Sequence, residues 1–312
     1  MPFLPKNIKK IYVPPIKCQG IKTKLVRFIA ENVYWNGEGK WIEPFLGSGV
    51  VLFNILPKRA LVADTNVHII NFYRDLQSNR LDSKIVRDFL EEHGALLKEK
   101  GGKYYYELRE RFNSSPSSNL FLFLNRAGFN GIQRFNSNGE MNVPYNHKDN
   151  RFSKSYITKT VNQVNQIQNL ILDHEWKFII ADWKETYKYI NPADFVYLDP
   201  PYIGRHTDYF NQWSEEDAVI LANYTRKLEC NFALSMWKEN KYRVNKHLTK
   251  YWSGYTEKTF DHFYHVGSTE NLRNKMIEAL IVQSKLITEK KINITVDTFY
   301  EDGQHVTIFN PA

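Results

Sequence analysis

The sequence is poor in the residues that build disulfides, metal sites and membrane segments. Its 312 residues include two cysteines, Cys18 and Cys230, which lie far apart and fit neither a disulfide framework nor a zinc spacing. His206 and His265 have no second ligand at a suitable spacing, so we interpret them as structural or substrate-lining. No stretch approaches the roughly 18 apolar residues of a membrane span, and the first residues lack a signal-peptide core. These absences predict a metal-free protein of a reducing cytoplasm.

The common nucleotide fingerprints are missing as well. The glycines at 47 and 49 are not followed by the third glycine of a dinucleotide-binding loop, and no Gly-Lys-Ser/Thr sequence forms a phosphate loop. We therefore expect neither NAD nor ATP as the ligand. The chain also lacks internal repeats and low-complexity tracts, and its 42% hydrophobic and 24% charged residues are typical of a globular protein. Its length suits two domains, or one α/β unit with an insertion.

Basic and aromatic residues are in excess. Forty-two Lys and Arg against 34 Asp and Glu leave a formal charge of +8, and aromatic residues make up 15% of the chain. A basic balance favours a polyanionic partner, and aromatic side chains can stack on nucleic-acid bases. An aromatic-rich core would give the same composition. Composition alone therefore leaves nucleic-acid binding and an ordinary core open.

Short apolar runs that end at turn or acidic residues predict a parallel sheet. Such runs are typical of strands that are buried on both faces. They occupy residues 41–45, 59–63, 177–181, 194–198, 231–237 and 278–282. Helical patterns lie between several of them, at 25–33 and from Ser214 onward. We therefore predict an α/β fold with a doubly wound, mixed sheet, whose ligands bind at the carboxyl ends of the strands.

The chain divides into three predicted regions. Residues 1–75 and 166–283 would form the sheet domain. Residues 76–165 are polar and rich in Asn, Ser and Gly, which predicts an inserted, mainly helical domain with a β-hairpin whose turn lies at 135–140. Residues 284–312 alternate apolar and polar positions and predict a C-terminal β-hairpin extension.

The segment Asp199–Tyr202 carries the clearest chemical signal. It reads Asp-Pro-Pro-Tyr directly after a predicted strand. Because proline has no backbone N–H, the Pro200 carbonyl and the Asp199 side chain can both point outward as acceptors. Two acceptors suit an exocyclic amine, since binding both N–H groups turns the nitrogen lone pair toward an electrophile. Tyr202 offers a ring on which a planar base can stack. The alternative is a loop that merely ends a strand.

A glycine loop and an acidic strand end suggest a second part of the same site. Gly47 and Gly49 would let the backbone pass close to a ligand at a strand end. Asp64 ends the next predicted strand, where a carboxylate can accept hydrogen bonds from both hydroxyls of a ribose. Many strand–helix turns look the same, and Asp64 has the alternative role of capping the following helix.

Two further segments offer basic and amide side chains. Three lysines and a glycine in residues 17–24 suit a carboxylate or phosphates, or form a solvated basic surface. Arg134 and the amides of residues 130–136 suit guanine or adenine edges in the major groove. Phe129 or Ile132 could insert between stacked bases. The alternative is a polar surface hairpin.

The order of these motifs resembles that of Dam-type, α-arrangement DNA adenine-N6 methyltransferases. In that family a lysine segment comes first, then a Phe-x-Gly-x-Gly loop, a target-recognition region and Asp-Pro-Pro-Tyr, and about residues 1–283 follow this order. Residues 14–25, 150–165 and 199–213 look closer still to the methylases of GATATC-type restriction systems. The resemblance implies a Rossmann-like methyltransferase core that transfers a methyl group from S-adenosylmethionine to N6 of adenine in a short, GAT-containing duplex site.

The motifs and the resemblance together assign three groups of residues. The donor-binding group is Cys18, Lys22, Phe45, Gly47, Gly49, Asp64, Asp182 and Asp199. Cys18 stands where the family usually has tryptophan, and Gln19 where it has alanine or glycine. The catalytic group is Asp199, Pro200, Pro201 and Tyr202. The DNA-binding group is Lys17, Phe129, Asn130, Ile132, Arg134, Asn136 and Pro144, with Lys17 at the family position that touches the first guanine.

The resemblance also implies partners and a location. We expect double-stranded DNA as substrate, a flipped adenine, no metal, a monomer, and a prokaryotic or phage protein at the nucleoid. A restriction endonuclease of the same site is a candidate partner. One alternative is an RNA adenine-N6 methyltransferase, which is disfavoured because A-form RNA hides the groove that the hairpin would read. The other is a catalytically silent DNA-binding module.

Overall fold

A computed structural model describes residues 2–201, 213–240, 243–263, 275–283, 294–301 and 304–311. Its strands are β1 Trp41–Glu43, β2 Arg59–Asp64, β3 Glu175–Ile180, β4 Phe195–Leu198, β5 Asn231–Asn240, β6 Thr256–Phe263, β7 Lys275–Gln283, β8 Ile294–Glu301 and β9 Gln304–Pro311. Within this part of the chain, β1 to β7 form one sheet in the order β3-β2-β1-β4-β5-β7-β6. The strands β8 and β9 pair antiparallel in a second sheet.

The large sheet is mixed, as the sequence predicts. Strands β1 to β5 pair in parallel, whereas β7 runs antiparallel to both β5 and β6. From β1 the chain first adds β2 and β3 on one side and later β4 and β5 on the other. Because the winding direction reverses between β1 and β4, the connections diverge there and leave a crevice at the carboxyl ends of the strands.

The helices cover both faces of this sheet, so the doubly wound α/β prediction is confirmed. They are α1 Val26–Asn32, α2 Leu52–Ile55, α3 Val67–Gln77, α4 Ser83–Lys100, α5 Gly102–Ser114, α6 Ser118–Ala127, α7 Lys154–Leu172, α8 Glu215–Arg226 and α9 Lys246–Tyr251. The predicted start of α8 is confirmed, because the Ser214 hydroxyl accepts from Asp217 N and the Asp217 carboxylate accepts from Ser214 N.

Successive strand residues point into two different apolar clusters. In β1, Trp41 belongs to the cluster that includes helices α1 and α3 to α7, and Ile42 belongs to the cluster under α8 and α9. In β2, Val62 belongs to the first of these clusters and Leu61 to the second. This alternation follows from the two-residue period of a strand, and it explains why these strands are apolar at every position.

The helical insertion packs on one face of the sheet. Helices α4, α5 and α6 lie in sequence between α3 and β3, and their side chains Leu90, Phe112 and Phe123 share a cluster with Trp41 of β1. Helix α7 runs through residue 165, so the predicted boundary falls inside a helix. The division into domains stays a prediction. None of the helices in the described ranges combines the length and the apolar character of a membrane span.

Candidate active site

A cavity of about 490 Å³ lies at the carboxyl ends of β1, β2 and β4. Small-molecule sites typically measure about 300–1,000 Å³, so the volume suits a nucleoside-sized ligand. Its lining includes the predicted donor-binding residues Cys18, Lys22, Phe45, Gly47, Asp64, Asp182 and Asp199. The structure therefore brings residues from five separate segments to one crevice, at the point where the sheet topology predicts a ligand.

The two glycines of the loop after β1 have different roles. Gly47 lines the cavity with φ at +51°, and a Cβ added there would meet no atom within 4 Å. Its missing side chain therefore leaves space open for a ligand. Gly49 has φ at +74°, and an added Cβ would lie 2.5 Å from the ring of Phe53. Gly49 is thus required because a side chain there would collide with Phe53 of α2. The sequence pattern alone does not show whether a glycine in this loop is needed for packing or for ligand binding.

Asp64 is held by backbone donors from both sides. Its Oδ2 accepts from Gly47 N and its Oδ1 accepts from Asn66 N, each at 2.8 Å. Burial raises the pKa of Asp64, and these two hydrogen bonds act in the opposite direction. The residue that caps α3 is Asn66, whose Oδ1 accepts from His68 N and Ile69 N. The alternative interpretation of Asp64 as the helix cap is therefore wrong.

Lys22 and Asp199 form a buried ion pair. The Lys22 Nζ lies 2.7 Å from Asp199 Oδ1, and the two side chains are 4% and 21% exposed. The pair joins the N-terminal segment to the end of β4. Burial raises the pKa of Asp199, while the Lys22 ammonium lowers it. Lys22 therefore favours the carboxylate form in a place where burial alone would favour the protonated acid.

Glu43 lines the cavity as well, although the sequence analysis gave it no role. It is 1% exposed, and its Oε1 accepts from Trp41 Nε1 at 2.7 Å. Burial, together with the nearby Asp199, raises the pKa of Glu43 from 4.5 to about 8, although hydrogen bonds from Trp41 and the Leu52 backbone oppose the rise. Glu43 is thus mainly protonated at neutral pH, which limits the negative charge beside Asp199. The sequence offered one signal for this position: a glutamate at the end of a short apolar run, directly before a proline.

Replacing Glu43 with glutamine is expected to remove a pH dependence of stability. Between pH 4.5 and 8 the folded protein keeps a proton on Glu43 that the unfolded chain has lost, so its free energy of unfolding falls as pH rises. For this group the slope is about 1.4 kcal/mol per pH unit. Urea unfolding of the native protein and of Glu43→Gln at pH 5, 6, 7 and 8 measures the difference. Exposed Glu31, changed to glutamine, is the control; parallel curves for native protein and Glu43→Gln would contradict the prediction.

The structure describes part of the predicted catalytic segment. Pro201 lines the cavity, and the neighbouring Pro200 is buried. Tyr202 lies outside the described residues, as do His206 and His265. The Tyr197 hydroxyl is 2.8 Å from Ser235 Oγ on the next strand, and this contact joins β4 to β5 next to the cavity, which Tyr197 also lines.

One wall of the cavity is aromatic. Phe45 stacks on Trp183 with ring centroids 6.0 Å apart, and it meets the Trp213 ring edge-on at 5.7 Å. Asp182 precedes this wall and caps the Trp183–Tyr189 turn, with its Oδ1 accepting from Lys184 N at 2.9 Å. The sequence analysis assigned Phe45 and Asp182 but not the two tryptophans, which lack a motif of their own.

Residues 128–145 form the hairpin that the turn at 135–140 predicts. Isolated bridges pair Gly128 with Tyr145 and Phe135 with Met141, and Asn142 N donates to Arg134 O. At the open end, Phe129 is 48% exposed and its N–H donates to the carbonyl of Pro144, which is also exposed. The hairpin therefore presents these side chains to solvent together with Asn130, whose φ is +52°.

Arg134 and Asn136 both have partners within the hairpin. The Arg134 Nε donates to Asn142 Oδ1 and its Nη2 donates to Asn142 O, each at 2.8 Å. These contacts fix the plane of the guanidinium. The Asn136 Nδ2 donates to Glu140 Oε2, and its Oδ1 accepts from Asn138 N and Glu140 N. Asn136 thus stabilises the turn, whereas the sequence analysis predicted that its amide binds DNA. Ile132, another predicted DNA-binding residue, is half-buried and lies in the sequence between Asn130 and these residues.

Lys17 lies against this hairpin. Its backbone N donates to Asn125 Oδ1 at 2.8 Å, and its carbonyl accepts from Asn125 Nδ2 and from Gln133 Nε2, each at 2.9 Å. Gly131 leaves room for the Lys17 side chain, because an added Cβ would lie 2.6 Å from it. Burial lowers the pKa of Lys17, and the Tyr156 hydroxyl raises it. The two predicted DNA-binding segments are therefore in direct contact.

No group of three or more His, Cys, Asp or Glu side chains in the described part of the chain is arranged to hold a metal ion. The acidic residues at the strand ends instead accept from backbone N–H groups or pair with Lys22. Such carboxylates suit hydroxyl and amine groups of an organic ligand.

Comparison with known proteins gives one matching family. Residues 19–292 match the model of D12 class N6 adenine-specific DNA methyltransferases. The type II methyltransferase M.MjaIII of Methanocaldococcus jannaschii is 30% identical over 255 residues, which cover 74% of this chain and 85% of that protein. The Retron Ec67 DNA adenine methylase of Escherichia coli is 30% identical over 217 residues, which cover 67% of this chain and 70% of that protein. The DNA adenine methylase of Haemophilus influenzae is 30% identical over 197 residues, which cover 61% of this chain and 63% of that protein.

Proposed function

Because this chain belongs to the family of D12 class N6 adenine-specific DNA methyltransferases, we propose that the cavity binds S-adenosylmethionine and that the 128–145 hairpin reads the target sequence. The predicted activity, adenine-N6 methylation of DNA, is confirmed at the level of the family. The alternatives of RNA methylation and of non-catalytic DNA binding are not supported. The observation that carries the proposal is that the Lys22–Asp199 pair and the Asp64 carboxylate line one cavity.

The residues of the cavity fit the proposed methyl donor. Asp64 would accept from the ribose hydroxyls, and Phe45 with Trp183 would contact the purine, since base–aromatic contacts are favourable. Gly47 leaves the space that a ligand needs at the strand end. Lys22 suits the carboxylate of the amino-acid portion. The donor supplies a methyl group on a sulfonium, whose neutral thioether is a good leaving group without a metal.

The chain's own residues would position the target amine. The Asp199 carboxylate and the Pro200 carbonyl accept its two N–H groups, which directs the nitrogen lone pair toward the methyl group. Lys22 keeps Asp199 in the accepting form. For adenine N6 to reach this place the base must leave the duplex, and Tyr202 would stack on the flipped base. Catalysis is then mainly positioning and electrostatic stabilisation.

The hairpin and Lys17 would read the DNA. Exposed Phe129, Asn130 and Pro144 would contact the duplex, and Arg134 would bind a base edge in the major groove. The formal charge of +8 favours the approach of a polyanion. We propose a GAT-containing target, with GATATC as the first site to test. We also propose that the protein is a monomer of prokaryotic or phage origin that associates with the nucleoid, with an endonuclease of the same site as partner.

Sequencing of DNA from cells that express the chain tests this function. The expected result is N6-methyladenine in one short site that contains GAT, with none added in cells that express Asp199→Asn. Methylation of a site without GAT would overturn the proposed specificity. Unchanged adenine methylation in cells that express folded native protein would contradict the activity itself.

Replacing Asp64 with alanine is expected to weaken binding of S-adenosylmethionine by at least about tenfold, because hydrogen bonds to charged groups are worth roughly 1.5–3 kcal/mol. Affinity for DNA should stay within a few-fold, because Asp64 lies at the strand end and not on the hairpin. Calorimetric titration of the donor measures the effect. Asp82→Ala is the matched control, since Asp82 also accepts from a backbone N–H, that of Ile85 at the start of α4. Equal donor affinity in native protein and Asp64→Ala would refute the assignment.

A further inference from the structure

We propose that Gln133 couples occupation of the donor cavity to reading of the target sequence. The inference rests on the proposed function, because it takes the cavity as the donor site and the 128–145 hairpin as the reader. Gln133 belongs to the hairpin and also lines the cavity. It immediately precedes Arg134, the residue proposed to bind a base edge. Its place in the fold therefore gives one side chain access to both sites.

Both ends of the Gln133 amide are hydrogen-bonded. The Oε1 accepts from Asn66 Nδ2 at 2.9 Å. The Nε2 donates to Lys17 O at 2.9 Å and lies 3.0 Å from Cys18 Sγ. Burial raises the pKa of the Cys18 thiol, as does the nearby Asp64, so the sulfur is a neutral acceptor. These three partners fix the amide in one orientation, because exchanging O and N would break the contacts with Asn66 and Lys17.

Each partner of Gln133 is itself tied to one of the two sites. Asn66 lines the cavity, caps α3, and donates its backbone N–H to Asp64, the proposed ribose acceptor. Cys18 also lines the cavity. Lys17 is the residue proposed to contact the first guanine, and Asn125 holds its backbone from the opposite side. A donor that restrains Asn66 and Cys18 therefore restrains Gln133, and through it Lys17 and Arg134.

The hairpin reaches the cavity at a second residue with different chemistry. Phe135 lines the cavity and stacks on His68, with ring centroids 5.3 Å apart. Burial lowers the pKa of His68 to about 4, so its ring is neutral at pH 7 and the contact is an aromatic one. Of these two hairpin residues, Gln133 is the one that hydrogen-bonds to Lys17. The directional connection to the DNA-reading side chains therefore runs through Gln133.

The test measures coupling between two ligands and not turnover. S-adenosylhomocysteine serves as the probe, because it cannot methylate DNA. Its dissociation constant is measured alone, with saturating cognate duplex and with a random duplex of equal length. For the native protein we expect cognate DNA to tighten probe binding and random DNA to leave it nearly unchanged. We define the cognate ratio as the dissociation constant of the probe with random duplex divided by that with cognate duplex. In Gln133→Met, which keeps the side-chain length without the amide, this ratio should fall by about fivefold or more.

Two further variants separate coupling from general loosening. Gln133→Glu keeps an acceptor for Asn66 but cannot donate to Lys17 O, so it should lose the cognate effect as well. Asn113→Ala is the matched control: the Asn113 amide bonds the backbone N and O of Met141, on the opposite arm of the same hairpin. We expect this control to keep the native ratio. Thermal unfolding of all variants verifies that each protein is folded.

The outcomes distinguish the inference from the function on which it rests. A native cognate ratio in both Gln133 variants overturns the inference, and so does an equal loss of the ratio in Asn113→Ala. Native protein that binds the probe and prefers cognate DNA, but shows no ratio above one, overturns coupling and leaves the proposed function standing. Native protein that binds no probe contradicts the proposed donor cavity itself.

Discussion

Replacing Asp199 with alanine is expected to lower turnover by at least about a hundredfold, as is usual when a group that orients or polarises a reacting atom is removed. The variant loses the carboxylate that would accept an N–H of the target adenine. DNA affinity should change by no more than a few-fold, because Asp199 follows β4 and is not one of the hairpin residues proposed to hold the duplex. Single-turnover transfer of a labelled methyl group to a cognate duplex measures the rate, and a gel-shift titration measures the affinity.

The ion pair with Lys22 requires a second variant. Alanine at 199 leaves the Lys22 ammonium, 4% exposed, without its carboxylate, and breaking a buried pair costs about 3–5 kcal/mol of stability. Asp199→Asn keeps an oxygen toward Lys22 Nζ, so it should fold better while it remains defective in methyl transfer. Turnover above a tenth of the native rate in either folded variant would contradict the proposed role of Asp199.

Replacing Arg134 with alanine is expected to cost about 1–3 kcal/mol of binding free energy on the cognate site, which is a loss of about 5- to 150-fold in affinity. Binding to random duplex should change much less. The loss on the cognate site is large because Asn142 already fixes the guanidinium plane through Nε and Nη2. Arg134 therefore loses little side-chain freedom when it binds the base. Titrations with cognate and random duplexes at two salt concentrations measure both affinities.

The salt dependence separates base reading from phosphate binding. If Arg134 only neutralised a phosphate, affinity would fall equally on all sequences and the salt slope would drop by about one ion. Arg87→Ala is the matched control for loss of one positive charge, since Arg87 pairs with Glu91 on the surface of α4. An equal loss of affinity on cognate and random duplexes would contradict the base-reading role of Arg134.

The features that the sequence predicted are those with a local pattern. Asp64 and Asp199 end apolar runs, and the parallel sheet brings such ends to the same edge. The capping box of α8 was visible because hydroxyl and carboxylate are three residues apart. The strand β6 was not predicted, because its sequence Thr256–Phe263 is polar and alternates weakly. In the described part of the sheet it is an edge strand that pairs with β7.

The features that the sequence did not reveal depend on contacts between distant segments. The ion pair of Lys22 with Asp199 has no local spacing, so both residues were assigned to the cavity without being paired. Gln133 reads as one more polar hairpin residue until Asn66 and Lys17 are seen on either side of its amide. Gly49 fits the same loop pattern as Gly47, and only the position of Phe53 separates them. Packing decides these cases, and packing is not periodic in the sequence.

The way the hairpin is built bears on how new target specificities could arise. Its arms are joined by isolated bridges and by side-chain contacts such as that of Arg134 with Asn142, and the sheet does not extend into it. Residues 134–142 can therefore be exchanged, or change in number, without shifting the register of any catalytic strand. Positions 133 and 135 are the exceptions, because the side chains of both residues line the cavity. Chimeras that graft 134–142 from a relative onto this chain and retain Gln133 and Phe135 would be the direct route to altered recognition sites.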